Sequence, residues 1–343
     1  MQMNRPLRTF TCLTTRCLSG NIYTPQKNRK ELIMAADLFY FLVFPGLLFV
    51  GITGGFLSWF DRKVTARVQF RKGPPVLQPF YDFFKLLLVK ETILPKHGSP
   101  VTFLLAPVFS VFGATMAGVF ILLPLFNITT GFRGDLIVVF YLLTIPSFSY
   151  IIGALASGNP LAAVGGSREV KLILSYELTF LLVITGIIMK CGQQFEIDSI
   201  IKVQQASSPF IGSVSGVLLF VVAIFCIQAK LALVPFDMPE AETEITEGIF
   251  IEYSGTAYAF IKLTKYIMLF ILPSLIVAVL LGGFRLDGIN ILWSMLKVLG
   301  IVLLLTLIRN TNPRIRIKQA VRFFIIWMNL IAVIALVLIT FGY

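Results

Sequence analysis

Long apolar runs separated by short charged stretches dominate this chain. Eight runs stand out, at roughly 38–60, 101–126, 135–156, 171–190, 211–230, 256–281, 291–308 and 321–341. Each holds about 18–26 mainly apolar residues, enough as a helix to cross ~30 Å of hydrocarbon. The pattern predicts an all-α integral membrane protein with about eight transmembrane helices, joined by amphipathic and acidic loops. With that many spans, loops 61–100, 157–170, 231–255 and 309–320 fall on one side of the membrane.

Composition agrees with a lipid-embedded chain: of 343 residues, 57% are hydrophobic and only 13% charged, with a mean hydropathy of +0.87. A soluble domain carries about twice that charge. The net charge of +12 suggests nucleic acid at first sight. Its distribution argues against nucleic acid, because the basic residues gather in loops beside apolar spans. Arg62, Lys63, Arg67, Arg71, Lys72, Lys85, Lys90 and Lys96 lie in the first of these loops, and Arg309, Arg314, Arg316 and Lys318 in the last. The positive-inside rule makes these loops cytoplasmic and puts both termini outside.

Residues 1–36 conflict with that orientation, since they carry Arg5, Arg8, Arg16, Lys27, Arg29 and Lys30. This basic N-terminal extension reads either as a targeting peptide or as a start site assigned too early, with Met34 as the true start; the second reading is favoured. Residues 37–343 then form a single eight-helix membrane domain. Four scattered cysteines and one histidine are too few to hold haem, zinc or an iron–sulfur cluster. Any redox centre is therefore expected in a partner rather than here.

Two loops carry the chemistry. In the first, basic residues Arg62, Arg67, Arg71 and Lys72 alternate with Val64, Val68 and Phe70, which predicts a short amphipathic helix on the membrane surface. Gly73, Pro74 and Pro75 end it. A helix resumes over 79–90, where Asp82 and Lys85 are spaced to pair. Such a loop fits anionic lipid headgroups or a docked cytoplasmic partner.

The second loop holds Asp237, Glu240, Glu242, Glu244, Glu247 and Glu252, six of the chain's 17 carboxylates, with no Lys or Arg between Lys230 and Lys262. Pro239 suits the first turn of a new helix. On that helix Glu240, Glu244 and Glu247 share one face. A solvated acidic face is the bland reading, but Phe236, Met238, Ile245, Ile249, Phe250 and Ile251 are too apolar for a free loop. Buried carboxylates so close titrate as a group, as a proton relay requires. Within the spans, Glu177 is the residue least able to reach water, because a carboxylate on a short side chain cannot snorkel.

These segments resemble the membrane subunit 1 family of respiratory complex I (NADH:quinone oxidoreductase) and its counterparts in membrane-bound [NiFe] hydrogenases. The shared motifs are Asp61-Arg62-Lys63; Gln69, Arg71, Gly73 and Pro74; Gln78, Pro79, Asp82 and Lys85; Lys90-Glu91; Ser175-Tyr176-Glu177; and Pro235-Phe236-Asp237 through Glu252-Tyr253. The match covers about residues 38–341. Quinone-reducing members typically read Pro-Phe-Asp-x-Ala-Glu-Gly-Glu and carry a glutamate where this chain has Lys265. Asp61 also replaces the usual Glu, and Pro75 an Asn. These departures resemble the branch of group 4 hydrogenases and related sulfur-reducing complexes.

The resemblance implies a coupling subunit in a prokaryotic energy-converting membrane. Its partners would be peripheral catalytic and iron–sulfur subunits, which hold the iron–sulfur clusters and a NiFe centre, and antiporter-like membrane subunits. It implies an arm interface at Asp61, Arg62, Lys63, Arg67, Arg71, Gln78, Asp82, Lys85 and Glu91. It implies a proton path through the six loop carboxylates, with Glu177 continuing it and Lys265 modulating it by pairing with Glu177 or a loop glutamate. The alternative is a quinone-binding subunit of a complex I-type oxidoreductase. A stand-alone transporter or a purely structural anchor explains fewer of these features.

Overall fold

The computed structural model describes residues 37–126, 128, 135–284 and 290–342; the basic extension, 1–36, lies outside the described residues. Among the described residues, seven helices are long and apolar enough to span a membrane: α1 (Asp37–Val68), α3 (Pro100–Leu125), α4 (Asp135–Ala156), α5 (Pro160–Lys190), α8 (Gly255–Leu280), α9 (Asn290–Thr311) and α10 (Ile317–Thr340). A shorter apolar helix, α7 (Val214–Lys230), completes the eight expected runs. Two amphipathic helices, α2 (Gln78–Leu88) and α6 (Ile197–Ala206), lie between spans.

Local chemistry sets the helix starts. α3 and α5 carry proline in their first turn, where the missing N–H leaves no bond unmade. Asn159 caps α5 by accepting from the Leu161 amide at 2.9 Å, and Ser213 accepts from Gly216 at the start of α7; each satisfies an amide that has no partner within the helix.

α8 is the axis of the bundle and packs against α1, α2, α3 and α9. Its apolar window is 83% buried, against 33% for α9 and 22% for α10. The outer faces of α9 and α10 are therefore the ones available to lipid or to neighbouring subunits. α1 approaches α8 so closely that a Cβ on Gly54 would lie 2.1 Å from the Tyr266 carbonyl oxygen.

Two expectations fail here. Residues 61–68 are not a separate surface helix: they continue α1, which ends at Val68 just before Phe70 takes a φ of +57°. Residues 157–170 are not a loop, because α5 begins at Pro160. Within it Gly165 and Gly166 are buried and lie where α5 meets neighbouring backbone.

Candidate functional site

All four regions assigned to one side meet at one end of the bundle through polar contacts. Asp61, buried at the end of α1, accepts from Thr306 at 2.8 Å and from Arg309 at 2.9 Å, both on α9. Arg62 donates to Asp82 at 2.9 Å, tying α1 to α2, and Gln78 donates to the same carboxylate at 2.9 Å within α2. Thr92 meets Thr256 at 2.7 Å, joining the loop after α2 to the start of α8. Asp82 therefore pairs with Arg62 rather than with Lys85, which is exposed. Despite burial, which opposes ionisation, the hydrogen bonds from Arg62 and Gln78 and the Arg62 charge hold the Asp82 carboxyl below its usual range.

The acidic segment is the hub of this end. It is not one helix: a turn at Met238–Glu240, a short helix at Glu242–Ile245 and a turn at Gly248–Phe250 follow one another. Thr246, Glu247 and Gly248 all have positive φ, which stops helix propagation. Glu240, Glu244 and Glu247 consequently do not share a face. Glu240 is held by Lys265 of α8 at 2.6 Å, whereas Glu244 is exposed and paired with Arg168 of α5 at 2.7 Å. Glu247 is exposed too, so burial of the whole cluster does not hold. The Glu242 side chain lies outside the described residues.

The other members are fixed from elsewhere. Asp237 is buried and pairs with Arg314 at 2.9 Å. Burial raises its carboxyl above the ordinary range, with Arg314 pulling the other way; its Oδ1 is buried without a hydrogen-bond partner. Glu252 accepts from Asn159 at 2.6 Å. The adjacent Tyr253 stacks on Phe103 at 4.1 Å and donates to that residue's carbonyl.

Close backbone approach seats the segment. A Cβ at Gly165 of α5 would lie 2.8 Å from the Ile249 amide nitrogen and 3.0 Å from the Pro239 carbonyl oxygen. Only glycine lets α5 come this near.

A cavity of about 410 Å³ opens between the ends of α1, α8 and α9 and this segment. Its charged lining is Asp61, Arg62, Asp237, Glu240, Glu247, Lys262, Lys265, Arg309 and Arg314, interleaved with Phe250, Tyr258 and Tyr266. A second cavity of about 20 Å³ leads inward, with Glu240, Lys265, Glu169 and Lys230 in its wall. That is room for about one water. Beyond it Lys230 meets Glu177 at 2.5 Å. The two lysine pairs and buried Glu169 thus form one charged line running from the large cavity into the bundle.

Of the expected interface residues, Arg67, Arg71, Lys85 and Glu91 are exposed, while Lys63 and Gln78 are half-buried. Glu169 and Lys230 were not among the expected site residues, although a signal existed: Glu169 stands two turns before Glu177 on the same helix. Lys265 takes the loop glutamate, and Glu177 takes Lys230 instead.

These features define a polytopic membrane protein that carries paired charges from one membrane face into its helix bundle. The chain belongs to the NADH dehydrogenase family, whose pattern matches residues 41–340. A subunit of the NADH-quinone oxidoreductase of Syntrophotalea carbinolica is 32% identical over 283 residues, covering 77% of this chain and 83% of that one. The corresponding subunit of Brevibacillus brevis is 32% identical over 302 residues, covering 82% and 87%. Among solved structures, a chain of the membrane-bound sulfane sulfur reductase, an archaeal respiratory membrane complex, aligns with a TM-score of 0.78 at 26% identity, covering 85% of this chain and 96% of that one. The family resemblance carried by the loops is borne out. The chain is a multi-span membrane subunit of the kind found in bacterial and archaeal respiratory membrane complexes.

Proposed function

We propose that this chain is the membrane-anchor and coupling subunit of a multi-subunit respiratory oxidoreductase, in a ferredoxin-linked hydrogenase-type or related sulfur-reducing complex. It joins a peripheral redox arm to ion-pumping subunits through a buried acidic proton path. The chain itself carries no redox centre in this reading; iron–sulfur clusters and a NiFe-type centre belong to partner subunits. The exposed Arg67–Arg71 region and Lys85 form the docking face for the arm.

The observation that carries the proposal is the charged line itself. Glu240 stands at the junction of the large and the narrow cavity, and Glu177 stands at the inner end. A change of charge beside the large cavity alters the proton equilibria along this line, because charges there are weakly screened. Solvated surface glutamates would not respond in this way.

A quinone-binding reading has one observation in its favour: the large cavity lies between the first loop and the acidic segment. Its lining does not fit a quinone. Nine charged side chains face it, where a ring-shaped apolar ligand asks for a mostly apolar wall with few polar groups.

The test is Glu240→Gln and Glu177→Gln in the complex purified from its native membrane, with its subunits identified. Electron transfer should continue while the proton uptake coupled to it is lost, because a glutamine cannot take up or release the proton. Unchanged pumping in both variants would leave only an anchor.

A further inference from the structure

An ammonium group inside a membrane helix bundle is costly, even when paired. Lys230, the last residue of α7, has a side chain only 2% exposed. Its Nζ faces the rings of Phe180 at 5.3 Å, Tyr176 at 5.6 Å and Phe140 at 5.7 Å. Glu177 Oε1 lies 2.5 Å away. Three aromatic faces and one carboxylate make a box that favours a cation.

The box is open on one side. There Lys230 lines the narrow cavity together with Glu169, whose carboxyl feels the Glu240 charge, has the Ser147 hydroxyl as a hydrogen-bond partner, and feels Lys265 and then Lys230. Glu169 is buried. On the far side, Glu177 keeps its second oxygen, Oε2, buried and without a hydrogen-bond partner. One lysine therefore stands between two carboxylates of the same helix. Eight residues of helix place their Cα atoms ~12 Å apart along the axis, and neither carboxylate is hydrogen-bonded to the other. The Lys230 ammonium, bonded to Glu177, faces the narrow cavity that Glu169 also lines, and its flexible stem lets it turn toward that carboxyl.

The geometry points to Lys230 as the residue that passes the proton between Glu169 and Glu177. This inference rests on the proposed coupling function. In the step, the Lys230 ammonium gives one proton to the Glu177 carboxylate, leaving a neutral amine and a carboxylic acid. The protonated Glu169, directly or through the single water that the cavity accommodates, then returns a proton to the amine. Lys230 ends as it began, Glu169 is ionised, Glu177 is protonated, and one proton has moved. The aromatic box holds the ammonium at rest, and turning toward Glu169 recharges the amine.

The deciding variant is Lys230→Arg. Arginine keeps the charge, the carboxylate pair and the ring contacts, but it does not give up its proton in a protein. The intact complex is reconstituted in liposomes and driven by reduced methyl viologen, with protons, polysulfide and a soluble quinone offered in turn as electron acceptor. Proton uptake is read with an entrapped pH dye and divided by electrons transferred. Lys230→Arg should assemble, transfer electrons, and lose about tenfold or more in protons per electron.

Wild-type stoichiometry in Lys230→Arg would overturn the inference, because it would show a fixed counter-charge to be sufficient. If Lys230→Arg does not assemble, Lys230→Gln decides by the same ratio: retained pumping overturns the relay, and lost pumping with continued electron transfer supports it. The two ideas separate cleanly. Loss in Glu240→Gln and Glu177→Gln with none in Lys230→Arg sinks the lysine alone. No loss in any of the three sinks the coupling function as well.

Discussion

Two adjacent glycines of α5 should respond in opposite directions to the same substitution. A Cβ at Gly165 meets the Ile249 nitrogen at 2.8 Å, the Pro239 oxygen at 3.0 Å and the Gly248 carbonyl carbon at 3.1 Å. All three are backbone atoms of the acidic segment, so no side chain can swing aside. At Gly166 the nearest atoms are the Ala154 Cβ at 3.6 Å and the Ile151 oxygen at 4.0 Å, which is ordinary contact. Both changes gain about 1 kcal/mol of helix propensity. Gly165→Ala adds an overpacking penalty of about 1–3 kcal/mol, whereas Gly166→Ala adds none. Gly166→Ala should therefore be neutral or stabilised by up to about 1 kcal/mol. Gly165→Ala should be destabilised by up to about 2 kcal/mol and should push the acidic segment away from α5, weakening the Glu240–Lys265 pair. Thermal unfolding of the purified complex, followed by mass-spectrometric detection of thiol labelling at buried Cys226, reads the stability order. Protons per electron read the displacement. Equal melting and equal pumping in the two variants would show that α5 does not seat the acidic segment, and the packing argument would fail.

Asp61→Asn leaves Arg309 and Thr306 of α9 without their charged acceptor; a loss of about 1–3 kcal/mol is expected, seen as faster hydrogen exchange at the Arg309 end of α9. For Asp237 the sign follows from its raised carboxyl. The folded state holds that proton more tightly than the unfolded chain, so the stabilisation is complete below the ordinary value of 3.8 and is lost as pH rises through the raised folded value. Asp237→Asn should flatten that part of the stability–pH curve in thiol-labelling melts. Asp82, whose carboxyl is lowered, behaves oppositely and loses its contribution as pH falls.

The membrane spans were legible because composition alone specifies them: an apolar run of that length has few alternatives to a buried or lipid-facing helix. The site was legible only in part, and particular residues show why. Lys230 marked the edge of a stretch without Lys or Arg and so read as a boundary, although it is the most enclosed cation among the ion pairs of the described residues. Glu169 fell within 157–170, the stretch between two apolar runs, and so read as part of a loop, although it lies on α5. The i, i+4, i+7 spacing of Glu240, Glu244 and Glu247 presumed a continuous helix, while Gly248 and the left-handed Thr246 and Glu247 break it. Partner choice was beyond reach, because the pairs join residues 53 positions apart at Glu177–Lys230 and 248 apart at Asp61–Arg309. Only the tertiary fold brings such residues together.

Burial decides which carboxylates are able to couple. At an effective dielectric of about 20, a unit charge acts on another ~10 Å away with ~1.7 kcal/mol, a little more than a tenfold change in a proton equilibrium. In water the same pair feels only ~0.4 kcal/mol, and salt screens that further. Glu244, 62% exposed beside Arg168, and Glu247, also exposed, belong to the second regime and suit holding the segment in place. Glu240 at 22% exposure, Glu177 at 14% and Glu169 at 5% belong to the first. A change of charge at the large cavity would thus act strongly on these three and on Asp61 and Asp237, 11% and 12% exposed in its wall, and weakly on Glu244 and Glu247. Glu240 and Glu177 each have a lysine of their own, so the line is close to electrically neutral, and one added proton is a large local change rather than a small one among many negative charges.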